Sequence, residues 1–267
     1  MKRSSLLAYL LLICYFQVFA QTPIKQNPLI GSWMYEADAN GLKELKIITP
    51  THVIFMVMNV KADTFAFAGY GTYSIKGNKY TENIEIANFT WDKSKKLQFD
   101  YKVEGDKFYQ KGELTNTDGT KEKINHVFTR VKMPPQNLDV AGTWELVSSQ
   151  ENNASSSTQQ TDNTQMKLIR VINPTHYMQI GYKPDGTFVY ANAGTHKKEG
   201  DKVLVQPLLS STKDPLPEKI ELTYKVEGDN LIENGITYYP GGKQEKWSDT
   251  LKKVKDRLPK ENALPRG

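Results

Sequence analysis

The stretch YKVEGD occupies residues 101–106 and recurs unchanged at 224–229. Around the first copy, Leu97, Phe99, Tyr101 and Val103 alternate with Gln98, Asp100, Lys102 and Glu104. Successive side chains of a strand point to opposite faces, so this alternation predicts a half-buried β-strand. Gly105-Asp106 then turns the chain, because glycine adopts backbone angles that other residues avoid. One strand and its hairpin turn are thus written twice, at an offset of 123 residues (101 to 224).

The repeat extends in both directions. Gly31-Ser32-Trp33 corresponds to Gly142-Thr143-Trp144, and Thr49-Pro50-Thr51-His52 to Asn173-Pro174-Thr175-His176. Gly71-Thr72-Tyr73 corresponds to Gly194-Thr195-His196, and the turn at 76–79 to that at 199–202. The spacing widens in the second copy because of an insertion, QENNASSSTQQTDNTQ (150–165). That insertion has almost no apolar side chains to bury, which predicts a mobile loop. Two units of this length indicate a tandem duplication; solenoid repeats are shorter. The expected organisation is a signal peptide at 1–20, a first barrel at 29–132, a linker at 133–139, a second barrel at 140–256 and a tail at 257–267.

The opening MKRSSLLAYLLLICYFQVFAQ carries two basic residues, then a short apolar run, then Val18-Phe19-Ala20. This is the pattern of an export signal cut after Ala20, and the run is short for a membrane span. Cys14 is the only cysteine in the 267 residues and would leave with the signal, so no disulfide or thiolate site is expected in the mature chain. The net charge of +5 falls further once Lys2 and Arg3 are removed, which is too weak to point to nucleic acid. A periplasmic, cell-surface or secreted protein with no integral membrane segment after signal removal is expected.

Each half reads as about eight short strands punctuated by Gly, Asn and Asp turns, with no long helical stripe. Successive hairpins of that number predict an all-β fold of two tandem antiparallel up-and-down barrels, because closure removes the exposed edges. Gly-x-Trp on the first strand and a basic residue on the last resemble the lipocalin-type (calycin) barrels. That resemblance implies that Arg130 packs over Trp33, and Lys253 over Trp144, closing one end of each barrel by cation–π contact. TPTH, GTYSIKGNKYTENI and the export signal also resemble uncharacterised lipocalin-like domains exported by Gram-negative bacteria. The resemblance implies a barrel and a small apolar ligand; it brings no established activity to these residues.

Phosphate-cradling glycine loops, His-Glu-x-x-His and nucleophile elbows are missing from the sequence. Candidate binding residues are therefore polar groups on apolar strand faces. Glu82 shares a face with Tyr80, Ile84 and Ile86, while its counterpart is Val205, so the two interiors should differ in polarity. His52 heads a row with Ile54, Met56 and Met58, as His176 does with Met178, Ile180 and Tyr182; both rows are expected to point inward. His126 sits between Ile124 and Phe128, and its counterpart Asp249 between Trp247 and Leu251. Tyr73 with its counterpart His196, and Tyr101 with Tyr224, complete the set. These faces hold only where no bulge shifts the alternation.

The leading expectation is a ligand-binding protein with a small, largely apolar ligand in one or both barrels, the first being the better site through His52, Glu82 and His126. Each interior is otherwise filled by its own side chains, since an eight-stranded barrel permits either. The rival readings are a non-catalytic structural or protein- or glycan-interaction module, and an enzyme using Glu82 and His126 as acid and base. No cofactor and no metal are expected, since nothing in the spacing brings His52, Glu82 and His126 together.

Overall fold

The computed structural model describes residues 27–36, 39, 41–132, 139–151 and 166–255. The expected export signal, most of the expected linker, most of the insertion and the expected tail lie outside them. The first barrel comprises β1 (Gly31–Glu36), β2 (Leu42–Ile48), β3 (His52–Asn59), β4 (Thr64–Lys76), β5 (Lys79–Ala87), β6 (Leu97–Glu104), β7 (Lys107–Thr115) and β8 (Lys121–Arg130). The second comprises β9 (Gly142–Glu151), β10 (Lys167–Ile172), β11 (His176–Tyr182), β12 (Phe188–Glu199), β13 (Lys202–Ser210), β14 (Lys219–Glu227), β15 (Asn230–Tyr238) and β16 (Gln244–Lys253). Each set pairs antiparallel in chain order and closes first strand to last, as the hairpin pattern predicts.

YKVEGD does what its letters require. In each barrel a strand ends at the glutamate and, after two turn residues, the next begins. Gly105 and Gly228 take φ of 55° and 60°, the left-handed region in which a Cβ is costly. Closure depends on a second glycine pair. Gly31 and Gly142 sit at φ of 139° and 147°. A Cβ on Gly31 would stand 2.6 Å from Arg130 Nη1, so the Gly-x-Trp glycine leaves room for the cation that seals the barrel.

Both Gly-x-Trp tryptophans are buried, and each indole N–H donates to a backbone carbonyl four residues earlier: Trp33 to Leu29 (2.7 Å) and Trp144 to Val140 (2.8 Å). Arg130 lies 4.0 Å over the Trp33 ring and also donates to the carbonyls of Ile30 and Pro28. Lys253 lies 5.6 Å over Trp144. Arginine's planar fork thus fastens the first barrel's end more closely than lysine fastens the second.

The outer faces of the two barrels meet in an apolar seam. Leu45, Ile47, Ile54 and Met56 pack with Ile169, Val171, Met178 and Ile180. β3 lies against β12, and β4 against β11, so each barrel offers the same patch to the other, as in a two-fold symmetric dimer. Phe65 stacks on its own counterpart, Phe188, at 5.8 Å. Polar bonds edge the seam: Asn173 Nδ2 donates to Ser32 Oγ (2.7 Å), and Thr143 Oγ1 lies 3.3 Å from His52 Nδ1.

The seam corrects the expected direction of two rows. Ile54 and Met56, like Met178 and Ile180, point outward into the seam, while Val53, Phe55 and Val57 point into the first barrel. β3 reads HVIFMVMN and is buried on both faces, so no polar alternation marks inside from outside. Ile86 also leaves the Glu82 face. The ladder slips between Tyr70 and Gly71, whose partners are Ile86 and Ile84, so Glu85 is the extra residue of a bulge.

Candidate functional site

Barrel 1 is packed through its middle. Trp33, Tyr73, Tyr80, Phe108 and Phe128 are fully buried, and their rings touch in a chain: Trp33–Phe108 at 5.5 Å, Phe108–Phe128 at 5.2 Å, Tyr80–Phe108 at 5.9 Å. Beyond β5, Phe89 and Trp91 fold against Phe55 and Phe67 and join the same core. At the centre, Lys46 Nζ sits between Glu82 (3.0 Å), Glu44 (3.3 Å) and Gln110 (3.1 Å), under the rings of Phe55 and Phe128. Burial works against the Lys46 charge, but Glu44 and Glu82 outweigh it and hold the ammonium above its ordinary pKa. Burial raises the Glu44 carboxyl; Lys46 opposes that shift and Glu82 adds to it.

Barrel 2 encloses a cavity of about 420 Å³. Its walls include Val203, Val205, Pro207, Ile220, Leu222 and Trp247. Thr212, Asp214, Pro215, Leu216 and Pro217, on the segment between β13 and β14, border its exposed side. On the floor, Arg170 donates from Nη1 to Glu233, from Nε to Gln179 (2.7 Å) and from Nη2 toward Asp249 (3.4 Å). Ser149 donates to the other Asp249 oxygen at 2.7 Å. Burial raises the Glu233 carboxyl pKa, with Arg170 opposing and Asp249 adding. Burial likewise works against the Arg170 charge, yet Glu233 and Asp249 keep its pKa above the ordinary value.

The sequence-derived candidates divide among three places. Tyr73, Glu82, Tyr101 and His126 belong to barrel 1. Tyr73 donates to the carbonyl of Thr49 (2.8 Å), and Tyr101 packs half-buried beside Tyr80. His126 Nδ1 is 3.8 Å from Glu44, and its ring stacks on Tyr35 at 4.1 Å. Burial, with Lys46 nearby, lowers its pKa to about 4. His52 and His176 stand at the seam, each with Nδ1 2.8 Å from the hydroxyl of the preceding threonine, and do not reach Glu82 or His126. His196, Tyr224 and Asp249 line the barrel 2 cavity. Burial lowers His196 to about 4, and Tyr224 donates to Asp139 at 2.6 Å. Trp33, Arg130, Trp144 and Lys253 take the end-closing positions.

The candidate site is thus in the barrel that the sequence ranks second; of its charged centre the alternation singled out Asp249 but not Arg170 or Glu233. Arg170 and Glu233 were legible in another way. Lys46 and Arg170 place a cation at the same repeat position inside apolar strands, LKELKII and LIRVI. Gln110 and Glu233 likewise share a position. A polar residue kept at one place within two apolar strands is the signal of an internal polar cluster. Among the described residues, no group of three or more His, Cys, Asp or Glu is placed to hold a metal, and no helix is long and apolar enough to cross a membrane.

Two closed eight-stranded barrels in one chain fit tandem calycin-like domains. No family model and no curated protein matches the sequence. Among solved structures, the chain is similar to a zebrafish ileal bile acid-binding protein complexed with cholic acid: 18% identity over 43% of this chain and 98% of that one, TM-score 0.26. It is also similar to a protein of unknown function from the DUF3598 family of Nostoc punctiforme: 11% identity over 85% and 97% of the two chains, TM-score 0.23. Scores this low carry no functional argument, and the class rests on the strand pairing.

Proposed function

We propose that the chain is an exported lipocalin-like protein whose second barrel binds a small, largely apolar ligand. The observation that carries this is the barrel 2 cavity, with apolar walls and one buried polar cluster. Ligand sites have this composition, and a volume of roughly 300–1,000 Å³ is their usual range. Barrel 1 is the rigid support against which the binding barrel packs. Export rests on the sequence of the first twenty residues and is checked by the mass of the protein recovered from the periplasm, which should begin at Gln21.

The binding reading is tested with a neutral fluorescent probe, N-phenyl-naphthylamine. The wild-type protein should take it up saturably, one per chain. Val203→Phe with Leu222→Phe brings ring-sized side chains, as in barrel 1, into the cavity and should weaken uptake at least about tenfold, or roughly 1.4 kcal/mol. A thermal melt shows that the variant folds. Absent saturable uptake, or uptake undiminished in the filled variant, removes the cavity as the site.

A further inference from the structure

The polar floor of the barrel 2 cavity says which kind of ligand it takes, provided that the cavity is the binding site as proposed above. Among the described charged side chains that line it there is one cation, Arg170, against Glu233 and Asp249 on the floor and Asp214 and Glu245 nearer the exposed side. Lys243 offsets Glu245 at 2.8 Å, which leaves the two floor carboxylates, with Asp214 at the exposed side, against the single Arg170. His196 adds no positive charge near neutral pH, since burial holds its pKa near 4. The Arg170 guanidinium is already committed to Glu233, Gln179 and Asp249. A ligand carboxylate entering here would meet two carboxylates and an arginine already engaged by both.

An unpaired acceptor stands beside the cavity as well. Asn192 is among the residues that line the cavity, and its side-chain oxygen is buried and accepts no hydrogen bond. A buried acceptor without a partner is costly and is relieved by a ligand that donates. An ammonium group has three donors and no acceptor. Aromatic walls at Tyr177, Tyr190 and Trp247 suit both an alkyl body and a cation. Barrel 1 has the same ratio of one cation to two carboxylates, but its cluster is closed over by Phe55 and Phe128, so nothing can be added there.

We infer that the barrel 2 cavity selects amphipathic organic amines, with the ammonium at Glu233, Asp249 and Asn192 and the apolar body against Val203, Val205 and Leu222, and that it disfavours fatty carboxylates.

The test compares three probes with one apolar body, decylamine, decanol and decanoate, by calorimetric titration of the full mature chain at neutral pH below their micelle concentrations. Decylamine should bind tightest, at least about tenfold tighter than decanoate, the ratio that one favourable charge contact supplies. Glu233→Gln and Asp249→Asn should each narrow that ratio by weakening decylamine; a melt reports whether each variant folds, and the wild-type ranking stands without them. Decanoate binding as tightly as decylamine, or decylamine no tighter than decanol, overturns the inference while the cavity remains a binding site. If none of the three binds and N-phenyl-naphthylamine is also excluded, the proposed function fails and the inference with it.

Discussion

Where barrel 1 has Tyr73, Tyr80, Phe99, Phe108 and Phe128, barrel 2 has His196, Val203, Leu222, Leu231 and Leu251 at the matching repeat positions. The strand order, the hairpin turns and the tryptophan-plugged end are the same in both. The second copy replaces rings with smaller side chains, and an open volume results. The plug differs too: Phe89 and Trp91 after β5 become Thr212 and Asp214 after β13. A closed eight-stranded barrel has room for either a solid core or a small ligand, and side-chain size alone decides between them. After duplication, one copy was free to keep a stabilising interior while the other opened.

The largest effect should come from probing that difference in packing. Phe99→Ala in barrel 1 should cost about 3–5 kcal/mol in a urea melt, because the surrounding rings leave no way to collapse. Leu222→Ala, its counterpart beside the cavity, should cost about 2 kcal/mol, since that wall is already unpacked on one side. Equal costs would break the contrast between a solid and an open barrel.

Next comes the paired charge. Lys46→Met leaves Glu44 and Glu82 buried without their cation and should destabilise by about 3 kcal/mol. Arg170→Met should cost less, about 1–2 kcal/mol, because water in the cavity can reach Glu233 and Asp249. If the two losses match, the barrel 2 floor is as dry as the barrel 1 centre.

A smaller effect is expected in acid. His126, His176 and His196 have folded pKa values near 4 against an ordinary 6.5. As pH falls through this window the unfolded chain takes up protons that the folded chain refuses, so each histidine withdraws stability. The raised carboxyls of Glu44 and Glu233 pull the other way, binding their protons earlier in the folded state. The urea midpoint should therefore fall modestly from pH 6.5 to pH 4.5, and His196→Tyr, the barrel 1 residue, should flatten part of that fall. A midpoint that rises instead would show that the carboxyls dominate.

The smallest change concerns the end closures. Arg130→Lys should cost about 0.5–1 kcal/mol by loosening the contact over Trp33, while Lys253→Arg should be neutral or slightly stabilising. A thermal melt of each variant checks the order.

Much of this was open to reading in the letters alone. Local patterns carried it: alternation in LQFDYKVE, glycine in turns such as Gly77, Gly105, Gly200 and Gly228, and a second copy of many phrases. The Gly-x-Trp and basic pairs marked where each barrel closes. The His52 and His176 rows failed because β3 has no polar face to mark the outside, and in β11 the polar Gln179 faces inward to Arg170 while Met178 and Ile180 face the seam. Ile86 failed for a different reason, one extra residue at Glu85. Arg170 and Glu233 were visible only by comparing the two copies.

The sequence by itself determined that the chain is a duplicated, hairpin-built β protein, because strand alternation and turn chemistry are local and need no partner. It also determined that the two interiors differ, since Val205 stands where the first copy has Glu82. Only the tertiary structure decided which barrel is open and which apolar rows face the seam. It also decided that Arg170, Glu233 and Asp249 share one floor. These depend on how side chains from distant strands fill or fail to fill a common space, and volume summed across a barrel is not written in any one stretch of sequence.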